Sequence, residues 1–77
     1  MSIMAIDLDE TDREILTVLA TGRATPSYLS KQTDVTRQTV QNRLKPLRAA
    51  DFVEKIDTGL YEITEKGRQT QEVEARR

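Results

Sequence analysis

Apolar residues recur every three or four positions in some stretches of the chain and at alternate positions in others. The first spacing places them on one face of a helix, and the second places them on one face of a strand. The sequence therefore predicts a helix over 8–20, a helix over 26–33, a helix over 36–50, a β-hairpin over 52–64, and a helix or tail over 65–76. We expect a single domain, 1–77, of the α+β class: a mainly helical fold with a three-helix core and a C-terminal hairpin.

Candidate core residues come from every predicted element except the last, as one compact domain requires. With 77 residues and 36% hydrophobic composition, the chain is near the lower limit for a core that folds unaided. The candidates are Ile15, Leu16, Leu19, Leu29, Val35, Val40, Leu44, Leu47, Phe52, Val53, Ile56, Tyr61 and Ile63.

Capping residues mark the start of the second and third helices. Thr25 precedes Pro26, and Thr36 precedes the third helix. A threonine hydroxyl can accept a backbone N–H of the first turn, and proline at the first helical position loses no hydrogen bond. Only two residues, beginning with Asp34, separate the helices, and Asp tolerates the left-handed backbone of so tight a turn. The segment 25–47 is therefore predicted to be two helices joined by a tight turn.

The first and last helices also carry signals at their starts. Asp9 is the expected N-cap of the first helix, with Glu10 and Asp12 complementing the helix dipole in its first turn. Thr64 can cap a last helix, in which Gly67 costs about 1 kcal/mol relative to alanine. This last segment is predicted either to pack as a helix or to fray as a tail.

The third helix has an apolar stripe and an opposite face of hydrogen-bonding residues. Glutamine and asparagine can each make two hydrogen bonds to adenine, and arginine can make two to guanine. The candidate base-reading residues are Arg37, Gln38, Gln41 and Asn42. For Gln41 or Lys45 taken singly, an ordinary solvated helix residue is an equally good interpretation.

Pro46 lies inside this third helix and cannot donate a hydrogen bond to the carbonyl of Asn42. We expect Pro46 either to kink the helix or to end its regular part near Lys45. The base-reading candidates all precede Pro46, so either outcome leaves them in place.

After the third helix, the segments 52–56 and 60–64 are predicted strands around a turn in which Gly59 is free to take positive φ. The order of capped helix, turn, capped helix and hairpin resembles the winged helix-turn-helix family of transcription regulators. The likeness spans about 8–67 and looks closest to short repressor-like proteins of haloarchaea and their viruses, on the stretch RATPSYLSKQTDVTRQTVQNRLKPLRAADFVEKIDTGLYEIT. The chain departs from the family at Asp34 and Asp51, where glycine is frequent.

The resemblance implies that double-stranded DNA is the partner, with Arg37, Gln38 and Asn42 at base edges. It also implies that hydroxyl groups lie near phosphates, on Thr25, Ser27, Thr36 and Thr39. In the family the hairpin is a wing that contacts DNA, and the candidates here are Lys55 and Thr58. Because the turn carries no arginine, we expect modest wing contacts, and for Thr58 a purely structural turn is equally consistent.

The distribution of charge also favours DNA contact by the second and third helices. The chain has 12 basic and 13 acidic residues and a net charge of −1, but 31–50 carries five basic residues and one acidic residue, +4. The cations able to neutralise phosphates are Lys31, Arg37, Arg43, Lys45 and Arg48. For Arg43 and Arg48, a salt bridge with a nearby acid is the alternative use.

Composition argues against catalysis and cofactors. The chain has no His, no Cys and three scattered Gly, hence no Ser-His or Cys-His pair, no thiolate or imidazole metal site, and no glycine-rich phosphate loop. We expect no enzyme activity, metal, cofactor or small-molecule ligand. With no signal peptide or membrane span in sight, a cytoplasmic, nucleoid-associated protein is the expected localisation.

Together these features predict a sequence-specific DNA-binding transcription regulator, a repressor acting as a homodimer on a pseudo-palindromic site. The alternative is a winged-helix module for protein contact without DNA reading. Four apolar residues precede the first helix, Ile3, Met4, Ile6 and Leu8. A dimer contact and packing on the hairpin of the same chain both remain open for them.

Overall fold

The computed structural model describes residues 8–75. In chain order it contains α1 (Glu10–Leu19), α2 (Pro26–Thr33), α3 (Arg37–Ala49), β1 (Val53–Asp57), β2 (Leu60–Ile63) and α4 (Glu65–Ala75). The elements follow the predicted order, and α2 has the predicted bounds. Ile3, Met4 and Ile6 lie outside the described residues, whereas Leu8 is half-buried against the core.

The first three helices begin at the predicted caps. Asp9 and Asp12 form a reciprocal capping box, in which each carboxylate accepts the backbone N–H of the other residue, at 2.8 and 3.1 Å. The hydroxyls of Thr25 and Thr36 each accept the backbone N–H three residues on, at 3.1 Å. These bonds satisfy donors that the first helical turn leaves without an intrahelical partner.

Two aspartates take the left-handed backbone where the family often has glycine. Asp34 ends α2 with φ of 60°, and Asp51 follows α3 with φ of 68°. Aspartate is one of the few side chains that tolerate this region, so the tight turns keep their shape. Val35, predicted as a core residue, is only half-buried because it lies in the first of these turns.

Pro46 does not end α3, which continues as a helix to Ala49. Of the two outcomes expected at Pro46, an end of the regular helix near Lys45 is therefore excluded. Proline lacks a backbone N–H, so only one intrahelical hydrogen bond, the one to the carbonyl one turn earlier, is missing. The next residue, Leu47, is fully buried and anchors the following turn in the core. The backbone N–H of Ala50 also donates to the Pro46 carbonyl at 2.9 Å, which closes the last turn.

The core lies between α1, α2, α3 and the inner face of the hairpin. Among the predicted core residues, Val35 and Ile56 are half-buried and the rest are buried. Ile56 lies at a β-bulge, where the strand register shifts. Ala24 is buried although it was not predicted, because it exchanges backbone hydrogen bonds with Tyr61, at 2.9 and 3.0 Å. The α1–α2 loop is thereby fastened to the sheet.

β1 and β2 form an antiparallel hairpin with Lys55 opposite Tyr61. Gly59 in the turn has φ of 69°, as predicted. The Asp57 carboxylate accepts the backbone N–H of Thr58 at 2.7 Å. The hairpin thus has a short, internally bonded tip of the kind that a turn with Asp, Thr and Gly favours.

α4 starts at a hydroxyl and packs through a glycine. Thr64 Oγ1 accepts the Gly67 N–H at 2.9 Å and donates to the Asp51 carbonyl at 2.6 Å. A Cβ placed on Gly67 would lie 2.1 Å from the Phe52 carbonyl oxygen. The segment is therefore a helix rather than a frayed tail, and Gly67 serves close packing. Every helix within residues 8–75 is too short or too polar to cross a lipid bilayer.

Candidate nucleic-acid interface

The predicted base-reading residues lie on the first two turns of α3. We call Arg37, Gln38, Gln41 and Asn42 the reading face. Arg37, Gln38 and Asn42 are exposed, and Gln41 is half-buried on the flank. The opposite stripe of α3 packs into the core. The reading face is thus presented to solvent by a helix whose other side is fixed.

Two amides of the reading face contact each other. Gln38 Nε2 donates a hydrogen bond to Asn42 Oδ1 at 3.2 Å. Residues four apart lie on the same helical face, so this contact follows from their spacing. The sequence interpretation took the two side chains as separate readers, although the spacing could have indicated the pair.

Arg43 is committed to an ion pair with Asp12 of α1. The guanidinium donates from Nε to Oδ1 and from Nη2 to Oδ2, both at 2.7 Å, and Asp12 is 0% exposed. This hydrogen bonding to the Asp12 carboxylate raises the pKa of the Arg43 guanidinium above its ordinary value. The pair stabilises the folded state while Arg43 is protonated, and this stabilisation is lost only as the pH rises through the raised pKa. Arg43 therefore adds no pH dependence to the free energy of unfolding near neutrality.

The pair bears on two of the sequence-based expectations. Arg43 forms a salt bridge, which is the alternative use left open for it. Asp12 lies in the acidic first turn of α1, as expected of a partner of the helix dipole, and the pair with Arg43 gives it a second role. It precedes Ile15 by three residues and Leu16 by four, so helical spacing places it on the buried stripe of α1. A buried carboxylate needs a cation, which is the signal that could have revealed the pair.

The hydroxyl candidates lie at the starts of α2 and α3. Thr25, Ser27 and Thr36 are exposed, and Thr39 is half-buried. The Thr36 hydroxyl donates to Thr39 Oγ1 at 3.0 Å while it accepts the Thr39 N–H. Both helix starts therefore carry hydroxyl groups, and hydroxyls and helix N-termini are groups that contact phosphate oxygens.

Apart from Arg43, the cations divide into paired and unpaired groups. Arg13 lies 3.3 Å from Glu10 and 3.8 Å from Glu74, and Arg23 lies 2.9 Å from Glu62. By contrast, within residues 8–75 five exposed cations of α2, α3 and β1 form no ion pair: Lys31, Arg37, Lys45, Arg48 and Lys55. Lys66 and Arg68 of α4 are also exposed and form no ion pair, so four of the seven unpaired exposed cations of residues 8–75 lie on α2 and α3.

The cations near the end of α3 share a surface with the wing. Lys45, Arg48 and Lys55 line one open groove between α3, β1 and the start of α4. The Arg48 guanidinium lies 6.0 Å from the Tyr61 ring centroid, within the range of a cation–π contact. Thr58 is exposed at the hairpin tip. The structure therefore brings the predicted wing lysine beside the cations of α3.

Several solved structures have a similar fold. Ligand-free NadR matches with a TM-score of 0.77 and 20% identity over 84% of this chain and 50% of its own. Lactococcus lactis ZitR matches with a TM-score of 0.83 and 23% identity over 97% of this chain and 52% of its own. T. acidophilum IdeR matches with a TM-score of 0.68 and 28% identity over 87% of this chain and 33% of its own. The chain thus spans about half or less of each of these proteins.

The comparison with curated proteins gives no significant match. A family model described as the HVO_A0261 N-terminal domain matches residues 8–76, which is nearly the whole chain. The match agrees with the resemblance to haloarchaeal winged-helix proteins. The chain therefore belongs to the HVO_A0261 N-terminal domain family and has a winged helix-turn-helix fold.

Proposed function

We propose that this domain is a sequence-specific DNA-binding transcription regulator whose α3 enters the major groove of duplex DNA. The observation that carries the proposal is the exposed reading face on α3, which places arginine and amide side chains opposite a fully buried stripe. These side chains are the ones that make paired hydrogen bonds to purine edges. The major groove is wide enough for such a helix.

The phosphate contacts in this proposal come from the two helix starts and the unpaired cations. The proposed hydroxyl contacts are those of Thr25, Ser27, Thr36 and Thr39. The proposed cationic contacts are Lys31 and Lys45, with Lys55 and Thr58 contacting DNA from the wing. Acidic residues elsewhere on the surface, such as those in the first turn of α1, would repel DNA and so orient the encounter.

We also propose a homodimer that binds a pseudo-palindromic site and represses transcription by covering a promoter, in the cytoplasm at the nucleoid. A twofold dimer would place two α3 helices in successive major grooves, about 34–36 Å apart. A structural neighbour from Streptococcus pyogenes is described as an adhesin competence repressor, which supports repression as the direction of regulation. It matches with a TM-score of 0.72 and 22% identity over 90% of this chain and 58% of its own.

Selection of bound sequences from a random duplex pool, at two salt concentrations, tests the proposal. We expect enrichment of an inverted repeat with half-sites about one helical turn apart. Enrichment of an unrepeated site would refute the dimer and keep DNA reading. No enrichment at either salt would refute the function and favour the protein-contact module.

Replacing Lys45 separates phosphate contact from base reading. Lys45→Ala is expected to weaken binding about equally for all duplexes and to reduce the slope of log affinity against log salt by about 1, because one fewer counterion is released. Lys45→Arg keeps the charge and should restore the slope. Binding isotherms over a salt series measure both effects, and a change of preferred sequence in Lys45→Ala would contradict the assignment.

A further inference from the structure

Gln38 and Asn42 form a hydrogen-bonded pair on the surface of α3. The bond runs from Gln38 Nε2 to Asn42 Oδ1, at 3.2 Å, and both side chains are exposed. Exposed amides can bond to water instead, so neither residue needs the other for hydrogen-bond satisfaction. The bond instead limits the side-chain rotations of Gln38 and Asn42 at the centre of the reading face.

The bond also fixes which groups the pair has left for another molecule. An amide side chain has a carbonyl oxygen that accepts and an NH₂ group that donates twice. Because Gln38 uses an N–H and Asn42 uses its oxygen, the pair retains the Gln38 carbonyl oxygen as its main acceptor. The Asn42 NH₂ group remains its main donor. Together they offer one acceptor and one donor set from neighbouring side chains.

We infer that Gln38 and Asn42 act as one coupled reader that selects adenine over guanine at a single base pair. This inference rests on the proposed function. In the major groove adenine presents the N6 amino group, a donor, beside N7, an acceptor. These groups complement the Gln38 oxygen and the Asn42 NH₂ group.

Guanine does not complement the same pair. It presents O6 and N7, which are both acceptors. The Gln38 oxygen would then face another oxygen, and the amide could reorient only by breaking its bond to Asn42. Holding the two amides in advance also reduces the rotamer freedom lost on binding. Discrimination therefore depends on both residues being present together.

A double-mutant cycle tests the coupling. The duplexes are the selected site and copies in which one A·T pair of each half-site is replaced by G·C. For wild type we expect about a 10-fold preference for adenine at one position. Gln38→Ala and Asn42→Ala should each lose nearly all of this adenine preference, and the double variant should lose no more of it than either single variant. Single losses that multiply in the double variant would overturn the coupled reader.

Gln38→Glu gives a second, directional test. A carboxylate only accepts hydrogen bonds, so Asn42 must donate to it and present its own oxygen outward. The preferred base should then shift from adenine toward cytosine, whose N4 group donates. Retention of the adenine preference in this variant would overturn the inference.

Controls keep this inference separate from the proposed function. Lys45→Ala should weaken binding to both duplexes of a pair by the same factor. Thermal unfolding should show that the exposed Gln38 and Asn42 variants remain folded. If wild type selects no sequence, the proposed function fails; if wild type is selective but the single losses multiply, only the coupled reader fails.

Discussion

Arg43→Ala is expected to destabilise the domain by about 3–5 kcal/mol, because it leaves the buried Asp12 carboxylate without its cation. Proteins of this size have unfolding free energies of about 5–10 kcal/mol, so the variant should be close to unfolding at ambient temperature. Urea denaturation followed by circular dichroism measures the change. The size of the effect comes from the orphaned charge rather than from the attraction of the pair.

Matched variants separate this explanation from a general loss of arginine packing. Arg23→Ala breaks an ion pair of similar length, 2.9 Å, but the two side chains are 64% and 36% exposed. It should cost less than about 1 kcal/mol. Arg43→Met combined with Asp12→Asn removes both charges and keeps an acceptor for the Asp9 N–H, so it should recover much of the loss. Equal costs for Arg43→Ala and Arg23→Ala would contradict the account.

Gly67→Ala is expected to destabilise the domain by about 1–3 kcal/mol, the usual cost of overpacking. Helix propensity alone gives the opposite sign, a gain of about 1 kcal/mol. The structure decides between them, because the new Cβ would lie 2.1 Å from the Phe52 carbonyl oxygen and 2.9 Å from Ile63 Cγ1. A backbone carbonyl cannot rotate away, so α4 would have to move from the hairpin.

Glu72→Ala is the control for this substitution. Glu72 is exposed on the same helix, so alanine there should change stability by less than about 0.5 kcal/mol. Thermal and urea unfolding of the two variants provide the comparison. A stabilised Gly67→Ala variant would show that α4 does not pack closely on the hairpin.

Features fixed by residues close in sequence could be predicted. The caps at Thr25 and Thr36 depend on a hydroxyl and the backbone N–H three residues on. The left-handed turn at Asp34 depends on that residue's own tolerance of positive φ. Local chemistry of this kind explains why α2 and the start of α3 agree with the sequence prediction.

Features that depend on contacts between distant segments could not be predicted in the same way. The Asp12–Arg43 pair joins residues 31 positions apart, and the Ala24–Tyr61 bridge joins a loop to the sheet. Gly67 illustrates the same limit. Its helix cost was visible in the sequence, but the carbonyl that makes glycine necessary belongs to Phe52.

The prediction of the candidate site was incomplete for a different reason. Amphipathic spacing correctly indicated which side of α3 is buried, and hence which residues are exposed. It could not show that Arg43, on the flank, is held by α1. The proposal that this face contacts DNA rests instead on the hydrogen-bonding chemistry of its side chains.

NMR titration of the labelled domain with its selected duplex tests the central claim most directly. Gln38 and Asn42 each have a side-chain NH₂ group with its own resonances, which report contact at the reading face. We predict large, saturable shifts of these groups and of the Arg37 backbone amide, with little change on the outer surfaces of α1 and α4. Saturable binding that leaves these resonances unchanged and shifts α1 or α4 instead would contradict the claim that α3 reads DNA.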